Sequence, residues 1–271
     1  MDLQLHGKHV LVTGGSKGIG LACAQAFLAE GARVSLVSRS HDNLRLGSEK
    51  LLRWLAEQGG TDTTGRVASF AADLKDPDAA VRALDSAEKA GGPVDILVNS
   101  AGAAKRVGPD DLTPKAWHDS MDAKYFTYIH MLDPVVKRMG QRGAGVIVNV
   151  IGAGGKVASP THLSGGAANA ALMLVSAGLA AAYGAKGVRV NAVNPGLTLT
   201  ERLKEGMAAE AKLNNISIDE AIKRANERLP LGRIARPEEI ADAVVFLASP
   251  RASYITGAIL AMDGAVTPMV V

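Results

Sequence analysis

Hydrophobic residues along this chain fall into two alternating patterns. Short, mostly apolar runs, closed by glycine, serine, asparagine or acidic residues, occur at 10–12, 32–37, 66–72, 94–98, 145–150, 188–193 and 258–262. Such runs fit strands covered on both faces, as in a parallel sheet. Longer stretches with helical character lie between them, at 21–28, 42–58, 77–90, 117–139, 165–185, 201–227 and 238–248. The stretch 42–58 shows the helical pattern plainly, with Leu44, Leu51, Leu52 and Leu55 as the apolar set of an otherwise charged, amphipathic helix. Strands alternating with helices in this way predict one α/β domain over residues 1–271. Its sheet is parallel and doubly wound, with seven strands, right-handed crossovers and helices on both faces. No Pro/Gly/Ser-rich linker or break in composition divides the chain. The charged stretch 201–227 carries no specific motif and is expected to cover the substrate.

The first strand runs into Thr13-Gly14-Gly15-Ser16-Lys17-Gly18-Ile19-Gly20 and then into a helix. Strand, glycine turn and helix in that order form a phosphate site. The glycines let the backbone approach an anion, and the unpaired N–H groups at the positive end of the helix point at it. The spacing is Gly-x-x-x-Gly-x-Gly rather than Gly-x-Gly-x-x-Gly, and a glycine-rich stretch alone is also compatible with a mere tight turn. The flanking strand and helix favour the phosphate site. In open parallel sheets ligands lie past the carboxyl ends of the strands, where strand order reverses. Those ends are Gly14 to Gly20, Ser38-Arg39, Asp73-Leu74, Asn99 to Gly102, Ile151 onward and Pro195-Gly196, and unusual residues cluster there.

With 271 residues, 47% of them hydrophobic, the chain is long enough to bury a large core. Thirty glycines and only 4% aromatics suggest close helix–sheet packing by small side chains. A net charge of +3, with Lys and Arg scattered, argues against nucleic acid as a partner. The single cysteine, Cys23, sits among apolar helix residues as inert core, which fits a reducing cytoplasm. The amino terminus has no apolar signal-peptide core, and a cytoplasmic location is expected. The stretch 165–185 carries no charge, but its Ala, Gly, Asn169, Ser176 and Tyr183 suit a buried helix better than a membrane span. No metal site is expected.

These motifs together resemble the short-chain dehydrogenase/reductase family over essentially the whole chain. Thr13-Gly14-x-x-x-Gly18-x-Gly20 is similar to its cofactor turn, and Asn99-Ser100-Ala101-Gly102 to its Asn-Asn-Ala-Gly. Asn194-Pro195-Gly196-x-Thr198-x-Thr200 resembles the loop at the nicotinamide end. Arg236-Pro237-Glu238-Glu239-Ile240-Ala241, Tyr254-Ile255-Thr256-Gly257 and Asp263-Gly264 resemble its carboxyl-terminal signature. The resemblance implies a Rossmann fold that binds a nicotinamide dinucleotide. It places Gly14, Ser16, Lys17, Gly18, Ile19 and Gly20 in the cofactor turn and Ser38 and Arg39 by the adenosine ribose. Asp73 contacts the adenine beside Leu74, while Asn99, Ala101 and Gly102 line the cofactor. Pro195, Gly196, Thr198 and Thr200 hold its nicotinamide end. A bare ribose favours an acid at the end of the second strand, whereas a 2′-phosphate wants cations. Ser38-Arg39 contains no acid and Lys17 faces the same pocket, so NADP(H) is the expected cofactor, unless Lys17 and Arg39 are ordinary surface cations.

The catalytic positions depart from that pattern. The family uses a Tyr as acid/base, a Lys that lowers its pKa from about 10, a Ser that orients the carbonyl and an Asn that anchors a water. By the resemblance these positions fall on Gly165, Asn169, Gly152 and Lys124. Putting the standard residues back (Gly152→Ser, Gly165→Tyr, Asn169→Lys) is expected to create activity on generic ketones, provided Lys124 leaves room. Lys124 is either a solvated helix lysine or a buried proton donor whose pKa has fallen. His162, near Ser164 in the loop before Gly165, is either incidental or a group able to titrate near neutrality. Asn169 is left with a bond to the nicotinamide ribose. Lys156 reads as surface, and Tyr125, Tyr128 and Tyr183 are alternative phenols. Three readings follow: an NADP(H)-dependent oxidoreductase acting on a small carbonyl, alcohol or activated double bond; a catalytically silent dinucleotide-binding sensor or partner subunit; and a non-redox lyase or isomerase. A homo-oligomer, tetramer or dimer, is expected through the helices 117–139 and 165–185.

Overall fold

Val10, Leu11 and Val12 have no exposed surface, and Leu36, Val98, Ile147 and Val190 are as deeply buried. The central runs become strands because they are covered from above and below, whereas the edge runs at 67–71 and 259–262 stay partly exposed. The computed structural model describes residues 1–59, 63–102 and 106–268, and gives the backbone alone at 205, 206, 209, 210, 212 and 213. Its strands are β1 (His9–Thr13), β2 (Arg33–Ser38), β3 (Val67–Ala71), β4 (Ile96–Asn99), β5 (Gly145–Val150), β6 (Val188–Pro195) and β7 (Ile259–Met262). They pair in parallel in the order β3-β2-β1-β4-β5-β6-β7. The order reverses between β1 and β4, so the ligand cleft of such a sheet opens above Thr13 and Asn99, which are partners in register.

The helices are α1 (Gly18–Ala29), α2 (His41–Glu57), α3 (Pro77–Gly91), α4 (Pro114–Ser120), α5 (Thr127–Arg142), α6 (Leu163–Tyr183), α7 (Glu201–Leu213), α8 (Ile218–Glu227) and α9 (Pro237–Ala248). Side chains alternate across the strands, and two cores result. Val10, Val12, Leu36 and Val98 meet α1, α2 and α9 on one face. On the other face Leu11, Val37, Leu97 and Ile147 meet α3, α5 and the end of α6. Each fully buried aliphatic side chain contributes about 1.5–3 kcal/mol. Cys23 lies inside the first core, where burial pushes its thiol pKa up to about 12, so it stays protonated and inert.

Several boundaries move from those expected. The stretch 117–139 begins earlier, at Pro114, where Thr113 caps it by accepting from the Ala116 N–H at 3.2 Å. It runs on to Arg142, and its middle, Met121–Phe126, is a π-helical turn. The stretch 201–227 is two helices. Asn215, with φ of +53°, turns the chain, and Ser217 caps α8 by accepting from the Glu220 N–H at 3.1 Å. Asn194 and Pro195 end β6 rather than open a loop, since Pro195 is in register with Met262. Residues 160–186, around α6, are long and apolar enough to cross a membrane, with mean hydropathy 1.5. Instead α6 lies against the sheet, its buried Ser176 Oγ accepting from Asn149 Nδ2 at 2.9 Å.

Candidate active site

The site is built above the crest of β1, β4 and β5. The Thr13 hydroxyl donates to Asn99 Oδ1 at 3.2 Å and accepts from the Ser100 and Ala101 N–H groups at 3.1 and 3.2 Å. Asn99 Nδ2 donates to Asn149 Oδ1 at 3.1 Å. Asn99 has no exposed surface, and its side chain is committed to these two bonds beneath the crest. Leu74 is likewise in the core, with its carbonyl 2.9 Å from His130 Nδ1, while Asp73 is exposed beside it.

Above the crest the glycine turn closes on itself. Gly14 has φ of +65°, and a β-carbon there would meet the Ser100 carbonyl oxygen at 2.8 Å. A β-carbon on Gly20 would collide with the Gly14 carbonyl, so the first turn of α1 packs directly on the loop. That first turn holds no acidic residue, which leaves Ile19 and Gly20 at an unneutralised positive helix end. The Ser16 hydroxyl donates to the Ser38 hydroxyl at 3.0 Å. The next residue of each, Lys17 and Arg39, is exposed, so two cations flank one rim. Across the cleft, Thr198 is buried against Gly196, and the Thr200 methyl lies 3.5 Å from where a β-carbon on Gly18 would be.

The positions read as catalytic converge on one spot. Lys124 lies in the π-helical turn with only 7% of its surface exposed. Its Nζ donates to the Tyr128 hydroxyl at 2.9 Å, to the Ile151 carbonyl at 3.0 Å and, more weakly, to that of Val150 at 3.4 Å. Tyr128 in turn donates to the Val150 carbonyl. Burial, with a further push from Arg202, brings the Lys124 pKa down to about 7. Burial raises that of Tyr128, so this phenol remains neutral. Tyr183 lies at the far end of α6 against Lys186 and Gly140, away from the cleft.

A side chain at Gly152 and one at Gly165 would meet different obstacles. Gly152 has φ of +135°, a conformation in which a serine would be strained, and a β-carbon there would sit 3.3 Å from Asn169 Nδ2. A β-carbon on Gly165 would sit 2.6 Å from His162 Nε2 and 2.7 Å from Nδ1, so the imidazole fills the room a side chain at 165 would need. The same ring lies 3.1 Å, at Cδ2, from where a β-carbon on Gly154 would be. Burial lowers the His162 pKa first, and the positive Arg106, Arg202 and Lys124 lower it further. Its Nδ1 and the Oδ1 of Asn169 are buried without a hydrogen-bond partner. Such atoms cost about 1–3 kcal/mol each when left dry. Ser164 instead turns inward, its hydroxyl donating to Ser120 at 2.8 Å. Neither Arg106 nor Arg202 stood out in the sequence, because nothing in their spacing ties them to this loop.

The family profile described as enoyl-(acyl carrier protein) reductase matches residues 14–267. D-threitol dehydrogenase of Mycolicibacterium smegmatis is 36% identical over 266 residues, covering 98% of this chain and 95% of that protein. The crystal structure of L-sorbose reductase from Gluconobacter frateurii, complexed with NADPH and L-sorbose, matches with a TM-score of 0.89 at 31% identity and covers 100% of both chains. An NADPH-bound short-chain oxidoreductase from Pseudomonas aeruginosa PAO1, described as containing an atypical catalytic center, matches with a TM-score of 0.85 at 28% identity over 97% of this chain and 98% of that one. The chain belongs to the short-chain dehydrogenase/reductase family of oxidoreductases.

The packing of His162 on Gly165 has a measurable consequence. Gly165→Ala should lower the unfolding midpoint, since overpacking costs about 1–3 kcal/mol. In a His162→Ala background the same change should become neutral or stabilising, because alanine exceeds glycine in helix propensity by about 1 kcal/mol. Thermal unfolding of the four proteins closes the cycle. An equal effect in both backgrounds would show that the ring does not occupy that space.

Proposed function

We propose that this chain is an NADP(H)-dependent reductase of a small carbonyl compound, and that Lys124 supplies the proton. The observation that carries this reading is the buried Lys124 amine at the end of β5, whose pKa is brought down to about 7. A donor titrating near the working pH is what proton transfer favours. Its bond to Val150 is the weak one, at 3.4 Å to a carbonyl that also accepts from Tyr128, so that hydrogen is the one a substrate oxygen can take. His162 offers a second bond to the same oxygen through Nδ1, in the tautomer that carries its hydrogen there. On this reading Gly152, Gly165, Asn169 and Lys124 stand where the family keeps its Ser, Tyr, Lys and Asn. Lys124 and His162 take over the handling of the proton, while Asn169 Oδ1 accepts from a ribose hydroxyl.

The residues present suit the cofactor. The glycine turn at 14–20 leads into the uncapped, positive end of α1, where a pyrophosphate binds, and Lys17 and Arg39 meet a 2′-phosphate where no acid waits for a bare ribose. NADPH-bound relatives with the same fold support the choice. When bound, the reduced nicotinamide supplies the hydride. The protein orients the carbonyl, delivers the proton and, through α7 and α8, covers the substrate. Copies of the chain assemble through α4, the π-helical turn, α5 and α6, where Trp117, Phe126 and Leu174 are exposed, Leu174 to 76%.

Three measurements test these statements. Reduction across a carbonyl and enone panel should slow as pH rises through about 7, because the donor is the protonated amine present below that value. Oxidation of the matching alcohol needs the neutral amine and should quicken over the same range. Lys124→Met should remove the inflection and a factor of about 10²–10⁴ in turnover, and His162→Gln should leave the inflection in place. Full turnover with an unchanged profile in Lys124→Met would discard the assignment. Calorimetric titration should find NADPH bound more tightly than NADH, with Arg39→Ala weakening NADPH by roughly 10- to 100-fold. Equal affinities for the two cofactors would remove the electrostatic argument. Light scattering at micromolar concentration should show an oligomer, and a monomer there contradicts the helical interface.

A further inference from the structure

Lys124 Nζ has three hydrogen-bond neighbours, and two of them, the Val150 and Ile151 carbonyls, can only accept. That suits an ammonium with its three hydrogens. A neutral amine at the same place has two hydrogens and a lone pair, and neither carbonyl offers the lone pair a donor. A proton donor passes through both forms in every cycle, and a buried acceptor left unpaired is costly. Tyr128 is the third neighbour, one helical turn further on and without exposed surface. Its hydroxyl can both accept and donate, and because burial raises its pKa it keeps its hydrogen around neutrality. The Lys124 amine, the Tyr128 hydroxyl and the Val150 carbonyl each lie within hydrogen-bond reach of the other two. Within such a triangle the hydroxyl hydrogen can change partner without any heavy atom moving.

We propose that Tyr128 is the positioning residue of Lys124: its hydroxyl accepts from the ammonium and turns to donate to the amine once the proton has left. This deepens the reading of Lys124 as the proton donor of a carbonyl reductase and rests on it for the reaction served. The atoms balance. The N–H bond facing Val150 breaks, its proton goes to the oxygen of the carbonyl being reduced, and its electron pair stays on nitrogen. The amine then turns about its Cε–Nζ bond and brings that pair to the Tyr128 hydroxyl, whose hydrogen leaves the Val150 carbonyl. An amine hydrogen takes the vacated place, and the Ile151 carbonyl has a hydrogen before and after. Both protonation states are then fully paired, with one N–H bond broken and no other.

The test follows Lys124 in the protein alone, labelled with ¹³C at the lysine ε-carbons, and the resonance missing from Lys124→Met identifies it. Tyr128→Phe removes acceptor and donor together. The ammonium loses more, since hydrogen bonds to charged groups are about twice as strong as neutral ones, so the Lys124 midpoint should fall by about one pH unit. Tyr128→4-aminophenylalanine keeps a donor for the amine and for Val150 but accepts poorly, so its midpoint should lie about half a unit lower still. His162 and Arg202, whose charges interact with that of Lys124, are the same in both variants. Turnover of the carbonyl panel should show the same displaced midpoints, with kcat lowered and KM within about twofold of wild type, as expected of a group that touches no substrate. A midpoint unmoved or raised in Tyr128→Phe overturns the proposal, and so do equal midpoints in the two variants. If Tyr128→Phe does not fold, the other variant decides alone: a midpoint below wild type supports the proposal, and any other overturns it. Failure of both to fold makes Tyr128 a structural residue and overturns it as well. Displaced lysine midpoints in a protein that reduces no member of the panel reject the reductase reading and keep the Lys124–Tyr128 pair. Turnover with wild-type pH dependence in Tyr128→Phe keeps the reductase and rejects the role of Tyr128.

Discussion

The structure hangs on a chain of hydrogen bonds between buried polar side chains that crosses three strands. Thr13, Asn99, Asn149 and Ser176 link β1, β4, β5 and α6 in sequence, each bond between 2.9 and 3.2 Å. Ser176 closes it by donating to the Leu172 carbonyl at 2.7 Å. Polar groups inside an apolar layer are costly unless fully paired, so this network tolerates one alignment of the strands. It therefore fixes the height at which β1, β4 and β5 end. The glycine turn, the loop after β4 and the residues after β5 all start from that common level. An apolar core alone would leave this register less determined.

The same crest bears a group that the fold accommodates at a cost. A lysine held at a pKa of about 7 favours its neutral form in the folded protein, against about 10.4 in the unfolded chain. Its contribution to stability is therefore lowest below pH 7 and grows by about 1.4 kcal/mol per pH unit as pH rises toward the unfolded value. At neutral pH the chain carries an amine that an apolar side chain would spare it. The surroundings are arranged to hold this amine, with the Ile151 carbonyl and the Tyr128 hydroxyl as acceptors and the Tyr128 ring 4.4 Å below it. Residues held against stability in this way cluster at functional positions. The π-helical turn at Met121–Phe126 belongs to the same arrangement, since a π turn inserts one extra residue into a helix and re-aims those beside it.

How much of this was legible in the sequence follows from which forces act locally. Strand runs and the glycine turn were readable because burial on two faces and close backbone approach both constrain residue type position by position. The break between α7 and α8 also had a local cause in Asn215, which tolerates φ of +53°, but the charged residues on either side read as one helix. The π turn left no mark, because its residues have the same apolar spacing as an ordinary helix. Lys124 could be placed near the cleft by its position in the long helix. Whether it was solvated or buried depended on Tyr128, Val150 and Ile151, which approach it only in the folded chain. Arg106 and Arg202 were hidden for the same reason. They are exposed residues of two separate segments, and only the tertiary fold brings the charge of Arg202 onto Lys124 and His162 and that of Arg106 onto His162.

On the proposed reading, Gly152, Gly165 and His162 form an arrangement of their own and not the usual one with parts removed. Restoring a serine at 152 would place a side chain on a backbone with φ of +135°, and the strain would fall on the residue meant to orient a carbonyl. Restoring a tyrosine at 165 would drive its first carbon into the His162 ring, whose departure would empty the space beside Gly154. A lysine at 169 would bring a further cation to a cleft that already holds Lys124 and feels Arg202. Each return to the common pattern conflicts with something this chain has built, so the three substitutions together disrupt the site before they can equip it. The side chains missing at 152 and 165 and the imidazole and amine that are present fit one another physically, and a search for this protein's chemistry should start from that fit.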